Sequence, residues 1–159
     1  MSGIWGSIVA VLGTLLGVLV SALAQRWNTS RSEQFNRERQ LREEQLTAFS
    51  SFAGALVDYR RAEYDRAHKN IDEPGSAAHN DARGESYRAR STAHHELFRV
   101  QLTSDSIKLF RLAETALNAA ENIHEATTKE QVRASGEKAK NALNEFVKEA
   151  GRIVRQTSP

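Results

Sequence analysis

The chain has 159 residues with 22 Lys+Arg, 20 Asp+Glu, no cysteine and a net charge of +2. Such a length fits one modest domain with an appendage. The absence of cysteine excludes a disulfide framework, thiolate metal sites and a thiol nucleophile, and the small net charge gives no footing for nucleic-acid binding.

The charges are unevenly placed. Residues 1–25 carry none, while the remainder is rich in charged residues and Ala, a composition that favours long helices. Gly3 to Ala24 reads "GIWGSIVAVLGTLLGVLVSALA", 22 uncharged and mostly apolar residues. As a helix it would measure roughly 33 Å, enough to cross a bilayer core of about 30 Å. Ala22-Leu23-Ala24 resembles a signal-peptidase site, but "MSG" supplies no basic n-region and the apolar run is too long. A retained transmembrane anchor at 1–25 is therefore expected. Arg26, Arg31, Arg37, Arg39 and Arg42 outnumber Glu33 and Glu38 on the far flank, which places the C-terminal part in the cytoplasm and the N-terminus outside the cell membrane. Trp5, Arg26, Trp27 and Arg31 are the expected membrane-interface residues, since indoles favour the headgroup layer.

Small residues recur along this segment at alternating four- and three-residue spacing: Gly3, Ser7, Ala10, Thr14, Gly17, Ser21 and Ala24, with Gly13 completing a Gly-x-x-x-Gly pair. Lipid supplies no hydrophobic drive between helices, so such a seam, along which backbones approach closely, points to self-association and a homo-oligomer.

Residues 26–45 read as a charged juxtamembrane helical stalk, and 46–159 as a cytoplasmic helical bundle. In the first bundle helix Leu46, Phe49, Phe52, Ala53, Leu56 and Val57, with Tyr59 and Tyr64 beyond, follow a 3.6-residue period. "NIDEPGSAAHN", Asn70 to Asn80, contains Pro74-Gly75 and is the expected loop at 70–80. A second helix is expected over about 81–102, with Tyr87, Leu97, Phe98, Val100 and Leu102 as its apolar content. "TSDS", Thr103 to Ser106, offers a cap for a third helix that would bury Ile107, Phe110, Leu117, Ala120 and Ile123. Thr127-x-x-Glu130 and Thr128-x-x-Gln131 both fit a capping box for the last helix, which carries Val132, Ala139, Leu143, Phe146, Ala150, Ile153 and Val154. The fold class is all-α: one N-terminal transmembrane helix followed by an antiparallel bundle of about four helices.

The segments "RERQLREEQLTAFSSFAGALVDYRRA", "FRVQLTSDSIKLF" and "ALNEFVKEAGRIV", behind one apolar N-terminal helix, resemble a broad group of small uncharacterised actinobacterial single-pass membrane proteins. The resemblance implies an anchor and a helical bundle; it transfers no functional residues.

Chemistry-bearing patterns are sparse. Glu121-x-x-His124 matches one half of a di-metal bundle site, with Asp65-x-x-His68 as a looser analogue, but a complete site needs two such pairs and further inward carboxylates. His94 and His95 are adjacent, so they point about 100° apart and cannot chelate one ion in the usual i, i+4 manner; one is expected to line the core seam and the other to face solvent, with a pH-sensing role left open. Arginines and carboxylates between Asp58 and Arg90 cancel and alternate, as on a solvated helix surface. Tyr59, Tyr64 and Tyr87 form a candidate docking patch within that stretch. There is no glycine-rich phosphate loop and no nucleophile elbow. The sequence thus points to a non-enzymatic interaction or scaffold protein without cofactor or bound metal. Its partners would be the lipid bilayer, its own copies and an unidentified protein, not nucleic acid. The alternative is a phage-type lysis or membrane-permeabilising protein.

Overall fold

The computed structural model describes the backbone of residues 2–156 and the side chains of residues 36–156. Its elements are α1 (Ser2–Asp72), α2 (Ala77–Thr103), α3 (Ile107–Glu121), a 3₁₀ turn (Asn122–Glu125) and α4 (Lys129–Gln156), with no strand among the described residues. The chain divides into two compact units, Met1–Gln40 and Leu41–Pro159. The expected anchor at 1–25, its small-residue seam and the interface residues Trp5, Arg26, Trp27 and Arg31 lie outside the residues whose side chains are described. Among the described residues no helix is long and apolar enough to cross a membrane.

The second unit is an up-down-up-down bundle, and its cross-links show the order. Gln45 Nε2 donates to Thr103 O at 2.9 Å and Glu63 meets Ser86, so α1 and α2 run antiparallel. Arg90 pairs with Glu121 at 2.6 Å, joining α2 to α3. Lys108 reaches Glu149 at 3.1 Å, joining α3 to α4. The circle closes where Lys129 meets Asp72 at 2.7 Å and the Phe52 and Phe146 rings pack edge to face at 4.9 Å.

Local chemistry fixes the ends. α1 runs to Asp72 and α2 begins at Ala77, so the connection is shorter at both ends than the 70–80 stretch expected. Gly75 turns the chain at φ +75°, a left-handed conformation that a side chain disfavours. Ser76 then caps α2, its Oγ accepting from His79 N–H at 3.1 Å. Ser106 caps α3 through Leu109 N–H at 3.2 Å. At α4, Thr128 Oγ1 accepts from Gln131 N–H at 3.2 Å, and Gln131 Oε1 reaches back to Thr127 N–H at 2.9 Å. This is the reciprocal arrangement expected of a capping box, its return bond shifted one residue outward.

Inside, the bundle has two storeys. The lower one is apolar: Phe49, Phe52 and Leu56 from α1, Ala93, Leu97 and Val100 from α2, Leu109 and Ala113 from α3, Leu143 and Phe146 from α4. The upper one is polar at its centre, because the inward registers of α1 and α2 change character there. On α1 positions 52, 56, 59 and 63 share a face, and the last two are Tyr59 and Glu63. On α2 the heptad-like set Ser86, Arg90, Ala93, Leu97, Val100 turns polar toward its N-terminus.

Several residues expected in the core point outward. Leu46 and Val57 on α1, Phe98 and Leu102 on α2 and Ile107 on α3 are exposed, Leu102 at 85% and Ile107 at 71%. The reason is register. Leu97 and Val100 fall on the inward face of α2, and Phe98 and Leu102, four apart, fall together on another. Of the α4 set, Val132, Ala139, Leu143, Phe146 and Ala150 are buried, while Ile153 and Val154 are half-buried against the core.

Candidate functional site

The most unusual chemistry of the described residues is Glu63, a carboxylate 1% exposed at the centre of the upper storey. Its Oε1 accepts a short hydrogen bond from Ser86 Oγ and lies 3.4 Å from Arg66 NH1. Oε2 is buried without a well-aligned hydrogen bond, and it faces His124 Nδ1 at 3.1 Å. That nitrogen also sits 2.6 Å from Glu121 O. Both neighbours are acceptors, so Nδ1 is the protonated ring nitrogen. Tyr59 is buried one turn away, and burial, then the Glu63 charge, push its hydroxyl well above the usual phenol range, so it stays protonated beside the carboxylate.

One carboxylate thereby ties α1, α2 and the 3₁₀ turn. A buried charge left unpaired is costly, which makes this a register device. It offers a substrate no approach, since Glu63 is enclosed. The Glu121-x-x-His124 pair is used here: Glu121 holds Arg90 and His124 faces Glu63. In the looser analogue, Asp65 is exposed and His68 Nδ1 lies 2.9 Å from the Tyr64 carbonyl. Among the described residues no group of three or more His, Asp or Glu is placed to hold a metal ion. His94 is half-buried and His95 exposed, as adjacent helical positions require.

The three tyrosines of the expected docking patch do not act together. Tyr59 is 1% exposed and belongs to the core, which removes it from any surface. Tyr87 is exposed but engaged, its hydroxyl taking a 3.0 Å hydrogen bond from Arg83 Nε and its ring lying under the Arg66 and Arg83 guanidinium groups. The Arg83 hydrogen bond draws its hydroxyl below the usual phenol range. Tyr64 stacks on His68 with ring centroids 4.4 Å apart and borders a groove between α1 and α4.

A family model described as KilB plasmid transfer protein matches residues 46–154. The chain belongs to the KilB plasmid transfer protein family. No curated protein and no solved structure matches it. In this KilB chain the matched span takes in α2, α3 and nearly all of α4, and with them Glu63, Ser86 and His124. The resemblance to actinobacterial membrane proteins rests on the quoted sequence segments alone.

Sequence reasoning placed Glu63 among solvated charges of the KilB chain. A signal was available, because position 63 continues the register of Phe52, Leu56 and Tyr59. The charge pattern of the surrounding stretch concealed it. Arg133 and Gly136 on α4, which line the groove beside Tyr64, carried no signal, since pairing α4 with α1 is a tertiary fact.

Proposed function

We propose that this KilB-family chain is a membrane-anchored, non-enzymatic scaffold of a plasmid transfer apparatus. The run Gly3–Ala24 anchors it with the N-terminus outside and the bundle in the cytoplasm, copies associate through the seam that includes Gly13 and Gly17, and the bundle docks a protein partner. The observation that carries this reading is the family match over the bundle, residues 46–154, taken with the uncharged run ahead of it in the sequence. Further support comes from the exposed apolar side chains Phe98, Leu102 and Ile107 around the α2–α3 corner, with Leu41 and Leu46 on the same half of α1. Apolar surface left in water is a common mark of an interaction site.

Chemical crosslinking in membranes, with plasmid transfer frequency as the second readout, tests it. Gly17→Leu fills the seam and is expected to abolish the crosslinked oligomer and reduce transfer. Undiminished crosslinking in the Gly17→Leu chain would sink the self-association part. Wild-type transfer from cells whose chain lacks residues 3–24 would sink the anchored-scaffold part.

A further inference from the structure

A groove of about 450 Å³ runs between α1 and α4, lined by Val57, Arg60, Arg61 and Tyr64 on one side and by Arg133 and Gly136 on the other. The α1 residues stand at i, i+3, i+4 and i+7, so all four share one helix face. Gly136 makes the floor: a Cβ there would lie 3.4 Å from two Tyr64 ring atoms, and its carbonyl takes Arg60 NH1 at 3.4 Å.

The arginines are under-used. Arg60 Nε is buried with no hydrogen-bond partner, an orphan donor of a kind that folded proteins rarely leave. Among the described residues neither Arg61 nor Arg133 forms an ion pair. Elsewhere on this surface arginines are engaged, as at Arg88–Glu85 and Arg152–Glu149, 2.6 and 2.7 Å apart. Three arginines thus line a recess whose walls include a tyrosine ring and a valine.

We propose that this groove docks an acidic segment of a protein partner. A carboxylate engages the Arg60, Arg61 and Arg133 guanidinium groups, and an adjoining aliphatic or aromatic side chain lies on Tyr64 and Val57. Guanidinium forks match carboxylate geometry and give short, charge-assisted hydrogen bonds. The choice of a peptide over a polyanion follows from the rim. Asp65 and Glu137 also line the groove, so a single carboxylate is attracted while a row of phosphates meets repulsion. The proposal rests on the scaffold reading for its setting, but its chemistry is independent of membrane insertion.

The test is a fluorescence-anisotropy titration of the full chain in detergent with a short labelled peptide that carries one glutamate beside a leucine among uncharged residues. Saturable binding is expected, weakened about tenfold or more when Arg61→Glu and Arg133→Glu are combined, which removes two charged contacts. Both side chains are exposed, and an unchanged thermal unfolding curve of that variant verifies the fold. Arg88→Glu, on the α1–α2 face, is expected to bind as the parent does. Three results would each overturn the proposal: no binding of the acidic peptide, equal binding by the double variant, or binding of labelled oligothymidylate in preference to the peptide. Self-association in membranes is read by crosslinking, so failure here leaves that reading standing.

Discussion

Two glycines of the bundle are predicted to respond to the same substitution with opposite signs. Gly75 holds φ +75° with open space where a Cβ would go, so Gly75→Ala costs backbone strain alone, about 1 kcal/mol. Gly84 lies inside α2, also with nothing within 4 Å of a built Cβ, and Gly84→Ala is expected to stabilise by about 0.5–1 kcal/mol through helix propensity. Urea unfolding of the two variants should shift in opposite directions; a shared direction contradicts the turn and helix assignments. At Glu63 the prediction is larger. Glu63→Ala leaves the His124 and Ser86 groups without their partner and is expected to cost about 3 kcal/mol, with Glu63→Gln retaining part of that. A loss below about 1 kcal/mol, as at an exposed ion pair, would show that the carboxylate is not the register device argued above. Glu149 contributes to the acid limb. Hydrogen bonds from Arg152 and then Lys108 lower its carboxyl from 4.5 to about 2. Its folded pKa is below the unfolded one, so its stabilisation is complete above about 4.5 and disappears as pH falls through about 2. Glu149→Gln is predicted to flatten the pH dependence of the unfolding midpoint across that window. Parallel curves for the two proteins would refute it.

At the scale of elements, the caps were the most legible features. "TSDS" and "ATTKEQ" carry their own chemistry, because a hydroxyl ahead of a helical run satisfies an otherwise orphan N–H whatever the tertiary fold. Thr128→Ala is accordingly expected to lower stability by about 1 kcal/mol, measured by urea unfolding; a change within error would mean that Gln131 alone sustains the α4 start. The faces of α1 and α4 were also readable from 3.6-residue periodicity, Phe49, Phe52 and Phe146 above all. α2 was not. Its inward face includes Ser86, with half-exposed Arg90 a turn further on, and polar residues there hide a period from any hydrophobic reading. Conversely Phe98 and Leu102 are apolar without facing the core, so the apolar content of α2 marks no single face. The polar residues became intelligible only as partners of Glu63 and Glu121 on other helices. The candidate surface was harder still, since Tyr59, Tyr64 and Tyr87 are close in sequence but divide among core, groove and arginine clamp. Side-chain direction, set by register, separates them.

At the scale of the molecule, the all-α class and the bundle followed from composition, short connections and amphipathic runs, and the family match to KilB plasmid transfer proteins covers that bundle. The second unit, Leu41–Pro159, contains a two-storey core of its own. The proposed anchor belongs to the other unit and rests on the sequence of Gly3–Ala24. The scaffold account depends on that segment residing in the bilayer, because a seam of Gly, Ser, Ala and Thr gains its role there and would be an unremarkable surface in water. Alkaline carbonate extraction of membranes from cells making the full chain tests this most directly. The account predicts that the protein stays in the membrane pellet after the wash. Release of the intact chain into the supernatant, with its bundle still folded, would contradict it.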